Sequence, residues 1–469
     1  MTHYALLIDG QLHTSEHADA VLDPATEQTV GYAARASQAQ VDKAVEAAQR
    51  AFTSWAADVQ ARRKALAQAA AVLRENTQPL AELISREQGR PLRFTLGEVA
   101  GAAATFDHYA GFEAPAAEVL RDDEQRLVRL ERRPLGVVAA ITPWNVPIIL
   151  LVLKLAPALH AGNTLVAKPS EHTPLSTLLL GQLLKDVFPA GVLNIVAGDG
   201  AVGERLSRHP HVRHITFTGS VATGKRLYAG ASDDLKRLTL ELGGNDAALV
   251  LADADIPAIA ESLFWGAFWN SGQVCFAIKR LYVHRSLFEP LIAALVERAK
   301  RTRLGSGLDP QAELGPLTNR QQLERVKALV ADAREHGAVI HTGGTQPDGP
   351  GYFFAPTIIS GIGAGVALVD EEQFGPVLPV IAFDDVEDAI RQANASPFGL
   401  GASVWTRDVD QGEAVVRRLD AGLAWVNQHL DVHPGAPKGG YKWSGLGYEG
   451  GARGYDAFSD LQVINIARH

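Results

Sequence analysis

Cysteine is almost absent from this sequence: among 469 residues, Cys275 is the only one. A single thiol cannot close an internal disulfide, and no set of cysteines is spaced to hold structural zinc, so a reducing compartment and a metal-free chain are expected. Excess positive charge is missing too. Lys and Arg number 44 against 53 Asp and Glu, a formal net charge of -9. Phosphate binding needs a basic footprint, so a sequence-independent grip on nucleic acid is excluded and an anionic membrane surface is disfavoured. Long apolar runs are also lacking. The longest, Val146 to Leu159, is interrupted by Lys154 and two prolines and is too short to span a bilayer. No charged segment, apolar run and small-residue cleavage site follow one another at the N-terminus, which leads to the expectation of a cytoplasmic protein. Internal repeats, low-complexity stretches and long hinge-like linkers are not seen.

What is present is a chain with 46% hydrophobic residues, long enough for two or three domains with substantial cores. Short β-rich runs alternate with helical patterns. Gly136–Ile141 reads as a buried strand, a helix follows from Val146, and Thr164–Lys168 is the next strand. A helix from Pro174 to Leu184, strands at Val192–Val196 and His214–Phe217, and a helix from Ser220 continue the pattern. Repeated β-α-β implies a parallel sheet covered by helices, with ligands at the strand ends. A second such block runs from Asp246 to about Asn427. Arg126–Arg132 alternates polar and apolar residues, and the tail Phe458–Ile466 is strand-like; the two could pair outside either core.

Five short segments have residue types suited to chemistry. Cys275 lies in Gly272-Gln-Val-Cys-Phe-Ala277, just after the turn signal Asn270-Ser-Gly272. A lone cysteine is ordinarily a small buried hydrophobe, but a thiol on such a turn can face a cleft and serve as a nucleophile. Glu241 closes a strand before two glycines; it is either an exposed strand end or a base whose pKa burial raises. Asn145 sits in Pro143-Trp-Asn-Val-Pro147, where two prolines stiffen the backbone; it is either turn chemistry or an amide donor for an oxyanion. Lys168-Pro-Ser-Glu171 follows a strand and could grip ribose hydroxyls, or be a surface turn. Phe217-Thr-Gly-Ser220 leads into a helix whose free N–H groups suit a pyrophosphate, or whose Ser220 is a plain cap. Gly198-Asp-Gly-Ala-Val-Gly203 matches a dinucleotide fingerprint, but no acidic residue stands some twenty residues later, so the Gly219–Ser220 helix is the better phosphate site.

In this order, these segments resemble the aldehyde dehydrogenase superfamily. The resemblance spans nearly the whole chain, from Asp23-Pro-Ala-Thr26 and Glu87-Gln-Gly-Arg-Pro91 to Glu372-Gln-Phe-Gly-Pro376 and Ser444-Gly-Leu-Gly447, and includes the 34-residue spacing from Glu241 to Cys275. It implies an α/β fold with a Rossmann-type NAD-binding domain (1–115 and 135–243), an α/β catalytic domain (244–441) and a small β oligomerisation extension (116–134 and 442–469). It also implies a catalytic cysteine, Cys275, an oxyanion donor, Asn145, a base, Glu241, and Lys154 close to that base. Trp144, Lys168, Glu171, Gly219, Ser220, Glu372 and Phe374 would contact the cofactor. Glu171 beside the ribose favours NAD and leaves NADP open. Relatives that pass the acyl group to coenzyme A typically lack the glutamate, so the expected product is a free acid.

Two positions depart from the family pattern. Asn245 stands where Lys is usual in Glu-Leu-Gly-Gly-Lys, and Lys438 follows Pro437 where an aromatic is common. By resemblance the latter lines a substrate tunnel with Ile149, Leu150, Leu153, Val274, Phe276 and His433. An apolar or aromatic aldehyde with a polar or anionic far end would suit it; the alternative is that Lys438 reaches to solvent. Two other functions stay open: a non-redox thiol esterase using Cys275 and Glu241, and a retired enzyme that only binds NAD. Exposed strands in the extension suggest a homodimer or homotetramer.

Overall fold

A computed structural model of the chain describes residues 1–433 and 435–468. Two large sheets dominate the fold. The first has eight strands in the order Gly445–Leu446, Arg237–Glu241, Val212–Thr218, Val137–Ile141, Thr164–Lys168, Leu193–Ile195, Leu6–Ile8 and Gln11–His13. Its five central strands run parallel, and antiparallel strands close both edges. Helices Pro147–His160 and Val221–Ala231 are among those that connect its strands. Strand Val137–Ile141 is buried along its whole length, as expected for a strand covered on both faces.

The second sheet has seven strands, ordered Val339–Thr342, Thr357–Ser360, Val377–Phe383, Ile278–His284, Asp246–Val250, Gly401–Trp405 and Leu423–Val426. Strand side chains alternate between faces, and this sheet shows the result. Ala247 and Leu249 join one apolar core, while Ala248 and Val250 join another on the opposite face. Glu241 ends a strand of the first sheet and Asp246 begins one of the second, so the chain passes between them through Gly243 and Gly244.

A third, three-stranded sheet stands outside both cores. Ser459–Ala467 pairs antiparallel with Arg126–Pro134 along its full length, and Glu118–Asp122 pairs on the other side. The segment 442–469, expected to belong wholly to this extension, instead divides. Leu446 pairs with Leu240 and Gly445 with Glu241, which satisfies the open edge of the first sheet. Tyr455 is then buried, its hydroxyl 3.1 Å from His160 Nδ1. Among the described residues, no helix is long and apolar enough to cross a membrane.

Candidate active site

Cys275 is placed by a turn that only unusual backbone geometry allows. Helix Ile256–Phe268 ends, and Asn270, Ser271 and Gly272 then take φ values of 54, 55 and 73°. Gly272 cannot be replaced cheaply, because a Cβ would strike the Gly375 carbonyl. Strain of this kind persists where the surroundings enforce it. Here Gln273 does so, fully buried, with its Nε2 donating to the Asn270 carbonyl at 3.0 Å and its Oε1 accepting from Thr318 N–H at 2.9 Å. Asn145 Nδ2 donates to the Gln273 carbonyl at 2.9 Å, and Asn270 Nδ2 donates to the Asn145 carbonyl at 3.1 Å. The two segments are therefore laced together, and the second Asn145 N–H remains for a ligand.

Asn145, Glu241 and Cys275 line one cleft of about 940 Å³ between the sheets. Burial, then the Glu241 charge, pushes the Cys275 thiol well above its ordinary pKa, while Lys279 opposes the rise. Burial and the like charge of Glu449 raise Glu241 to about 7, against the interaction with Cys275 and the charges of Lys154 and Lys438. One Glu241 oxygen, Oε2, is buried with no hydrogen-bond partner in the protein. A thiol facing such a carboxylate keeps its proton at rest and has an acceptor for it close by.

Lys154 is fully buried; its ammonium is paired with the Glu449 carboxylate and donates to Thr218 Oγ1 at 2.7 Å. The sequence reading placed Lys154 near Glu241 but missed Glu449. Nothing local marks it, since its partner stands 295 residues away.

Trp144, Gly219, Ser220, Glu372 and Phe374 of the expected cofactor residues lie along the same cleft; Lys168 and Glu171 are not among its lining. Ser220 begins helix Val221–Ala231 and caps it, accepting from Thr223 N–H at 3.3 Å. Gly219, Ser220, Glu372 and Phe374 line the cleft. Lys168 is buried and donates to the Pro169 carbonyl at 3.0 Å, with the half-exposed Glu171 carboxylate 4.0 Å away. Burial lowers the Lys168 pKa. The Glu372 carboxylate accepts from Gly244 N–H at 3.0 Å, and a Cβ on Gly243 would collide with it. Phe374 has a φ of 47°, held where Gln322 Nε2 donates to the Gln373 and Phe374 carbonyls at 2.8 and 2.9 Å. Its ring meets Trp144 edge-on at 5.3 Å. Gln322 was not foreseen, because its function lies in backbone contacts about fifty residues away.

The expected tunnel residues are less uniform. Leu150 lines the cleft, and Ile149 and Leu153 are half-buried on the same helix. Val274 is only 4% exposed, and its carbonyl rather than its side chain is engaged. Phe276 is half-buried, its ring 6.4 Å from that of Trp425. His433 is exposed and its Nδ1 accepts from Gly435 N–H at 3.1 Å. Lys438 is half-buried, exchanges two 2.7 Å backbone hydrogen bonds with Glu449, and places its charge where it acts on Glu241. Asn245, the other departure, donates to the Val369 carbonyl at 2.8 Å. No cluster of three or more metal-ligating side chains occurs among the described residues.

Known proteins provide a second view. The aldehyde dehydrogenase family model matches residues 12–464. Retinaldehyde dehydrogenase 3 of Homo sapiens is 35% identical over 98% of this chain and 92% of its own length. The 3,6-anhydro-alpha-L-galactose dehydrogenase of a Vibrio species is 37% identical over 99% of both. An NAD+ complex of an aldehyde dehydrogenase from Bacillus cereus superimposes with a TM-score of 0.97 at 33% identity, covering 99% of this chain and 97% of that one. The fold, the cleft and these matches agree that the chain belongs to the aldehyde dehydrogenase family.

Proposed function

We propose that the protein oxidises an aldehyde to a free carboxylic acid with NAD, using Cys275 as nucleophile. The observation that carries this reading is the convergence of Cys275, Glu241 and Asn145 on the cleft that Ser220, Glu372 and Phe374 also line. NAD fits the residues present. Backbone N–H groups at the start of helix Val221–Ala231 suit a pyrophosphate, Lys168 and Glu171 suit a ribose, and the Glu372 carboxylate, lying against the side-chain-free backbone of Gly243, suits the second ribose. A carboxylate at Glu171 would repel a 2′-phosphate, which favours NAD over NADP. When bound, nicotinamide supplies the acceptor for a hydride.

The protein's own groups account for the rest. The Cys275 sulfur adds to the carbonyl carbon as its proton passes to Glu241. The oxyanion is held by the free Asn145 N–H and the Cys275 backbone N–H. Loss of hydride from this tetrahedral adduct leaves a thioester on Cys275. Glu241 releases the proton it took from Cys275 to solvent; ionised again, it takes a proton from water as the water adds, and C–S cleavage releases the acid while that second proton passes to the sulfur and restores the thiol. Water is the acceptor because a base with a free oxygen stands at the thioester.

An apolar or aromatic aldehyde with a polar or anionic end is the substrate class that Ile149, Leu150 and Lys438 favour, the Lys438 charge being near enough to act on Glu241. The test is NADH formation with aliphatic, aromatic and carboxylated aldehydes, with Cys275→Ala beside the wild type. Aldehyde-dependent NADH that vanishes in the variant is expected. Folded, NAD-binding protein that makes none with any aldehyde would shift the reading to an esterase or a binding protein.

A further inference from the structure

Lys279 lies outside the site that the sequence suggested, yet it touches the nucleophile's own backbone. It enters strand Ile278–His284 directly behind the Cys275 turn and is 1% exposed. Its ammonium donates to the Val274 carbonyl at 2.7 Å and to the Cys275 carbonyl, and Glu372 Oε1 lies 3.4 Å away. Two backbone carbonyls thus accept from it, and an opposite charge lies beside it. Its charge also acts on the buried Asp246 carboxylate and on His429.

Burying an ammonium is costly, and an apolar side chain would fill the space at less expense. The bonds it makes indicate its use. In a trans peptide the C=O and N–H point in opposite directions. The carbonyl of Val274 and the N–H of Cys275 belong to one peptide unit. A cation gripping that carbonyl from behind aims the Cys275 N–H forward and polarises it as a donor. The bond to the Cys275 carbonyl fixes the next peptide unit, so the thiol is held between two anchored planes. The contact with Glu372 extends the same anchor to the cofactor groove.

We propose that Lys279 is a positioning residue that orients and polarises the Cys275 N–H for the oxyanion, supports the thiolate by charge, and ties both to Glu372. This rests on Cys275 being the nucleophile.

The groups facing Cys275 are Glu241, Lys279 and Glu372, and those facing Lys279 are Glu372, Asp246 and His429. Because Cys275 is the only cysteine, iodoacetamide labelling followed against pH reports on it alone. In Lys279→Met the labelling midpoint should rise by about one pH unit, as expected when an opposite charge is removed. Turnover should fall by roughly a hundredfold, the scale of losing an oxyanion donor, while KM for the aldehyde stays within about threefold. Lys279→Arg, which keeps the charge, should recover the labelling profile. If the single variant is unstable, Asp246→Asn with Lys279→Met removes the facing carboxylate and gives the same readouts. An unmoved labelling midpoint and unchanged kcat in a folded variant that binds NAD would overturn the proposal. NADH formation that persists in Cys275→Ala would instead overturn the nucleophile reading on which it rests.

Discussion

With its pKa raised to about 7 by burial and then by Glu449, Glu241 is ionised over only part of the neutral range. A base acts in its ionised form, so kcat should climb with pH through an inflection near that value and level off above it. Glu241→Gln should lose the inflection and slow thioester release. Glu449→Gln removes the like charge but leaves Lys154, which lowers the Glu241 pKa, so the inflection should move to lower pH. The same change strands a buried ammonium and should cost about 3–5 kcal/mol of stability, read by urea titration. Lys438 calls for a different comparison. Lys438→Phe should raise KM for a carboxylated aldehyde by roughly tenfold, the worth of about 1.4 kcal/mol, and leave that for a neutral one alone. Equal responses would mean that its charge does not select the substrate. At this scale the meeting of Cys275, Glu241 and Asn145 on one cleft was legible from the order of the motifs and the family they resemble, not from any one of them alone. Glu449, Gln322 and Lys279 were not, because the function of each is defined by atoms that only folding brings near.

At the scale of elements, the Glu87–Pro91 segment shows what a motif can and cannot convey. It was recognisable as a family signature, with no stated purpose. In the structure Glu87 accepts from Leu175 and Ser176 N–H at 2.7 and 2.9 Å, at the start of helix Leu175–Leu184. Gln88 donates to Asn270 and Thr318, at 3.1 Å each, and so braces the nucleophile turn. Glu87→Ala should leave two buried N–H groups unpaired and cost roughly 2–5 kcal/mol, measurable as a lower urea midpoint with unchanged KM for aldehyde. The central strands of the first sheet were legible because buried strands read as apolar runs between helical repeats; the helices from Gln38 to Gly111 were not named. The antiparallel edge strand Gly445–Leu446 was not, since two residues have no periodicity to read.

At the scale of the whole molecule, the outer sheet has an apolar surface that a lone subunit would leave wet. Leu461 and Val463 on strand Ser459–Ala467 are 60% and 54% exposed, and Val119 and Leu120 are exposed nearby. Pairing with a second copy would cover them, so light scattering should report a dimer or tetramer. Leu461→Lys with Val463→Lys should shift it toward monomer; a wild-type monomer at micromolar concentration would refute this.

The pairing of Lys154 with Glu449 also has a consequence in time. Glu449 is made long after Cys275 and Glu241, and the strand just before it, Gly445–Leu446, closes onto Arg237–Glu241 only once it exists. A nascent chain that has not yet reached this stretch contains Cys275 and Glu241 without the charge of Glu449 that acts on Glu241. The ionisation of the reactive centre is therefore set late, by a charge that arrives long after the nucleophile and its base.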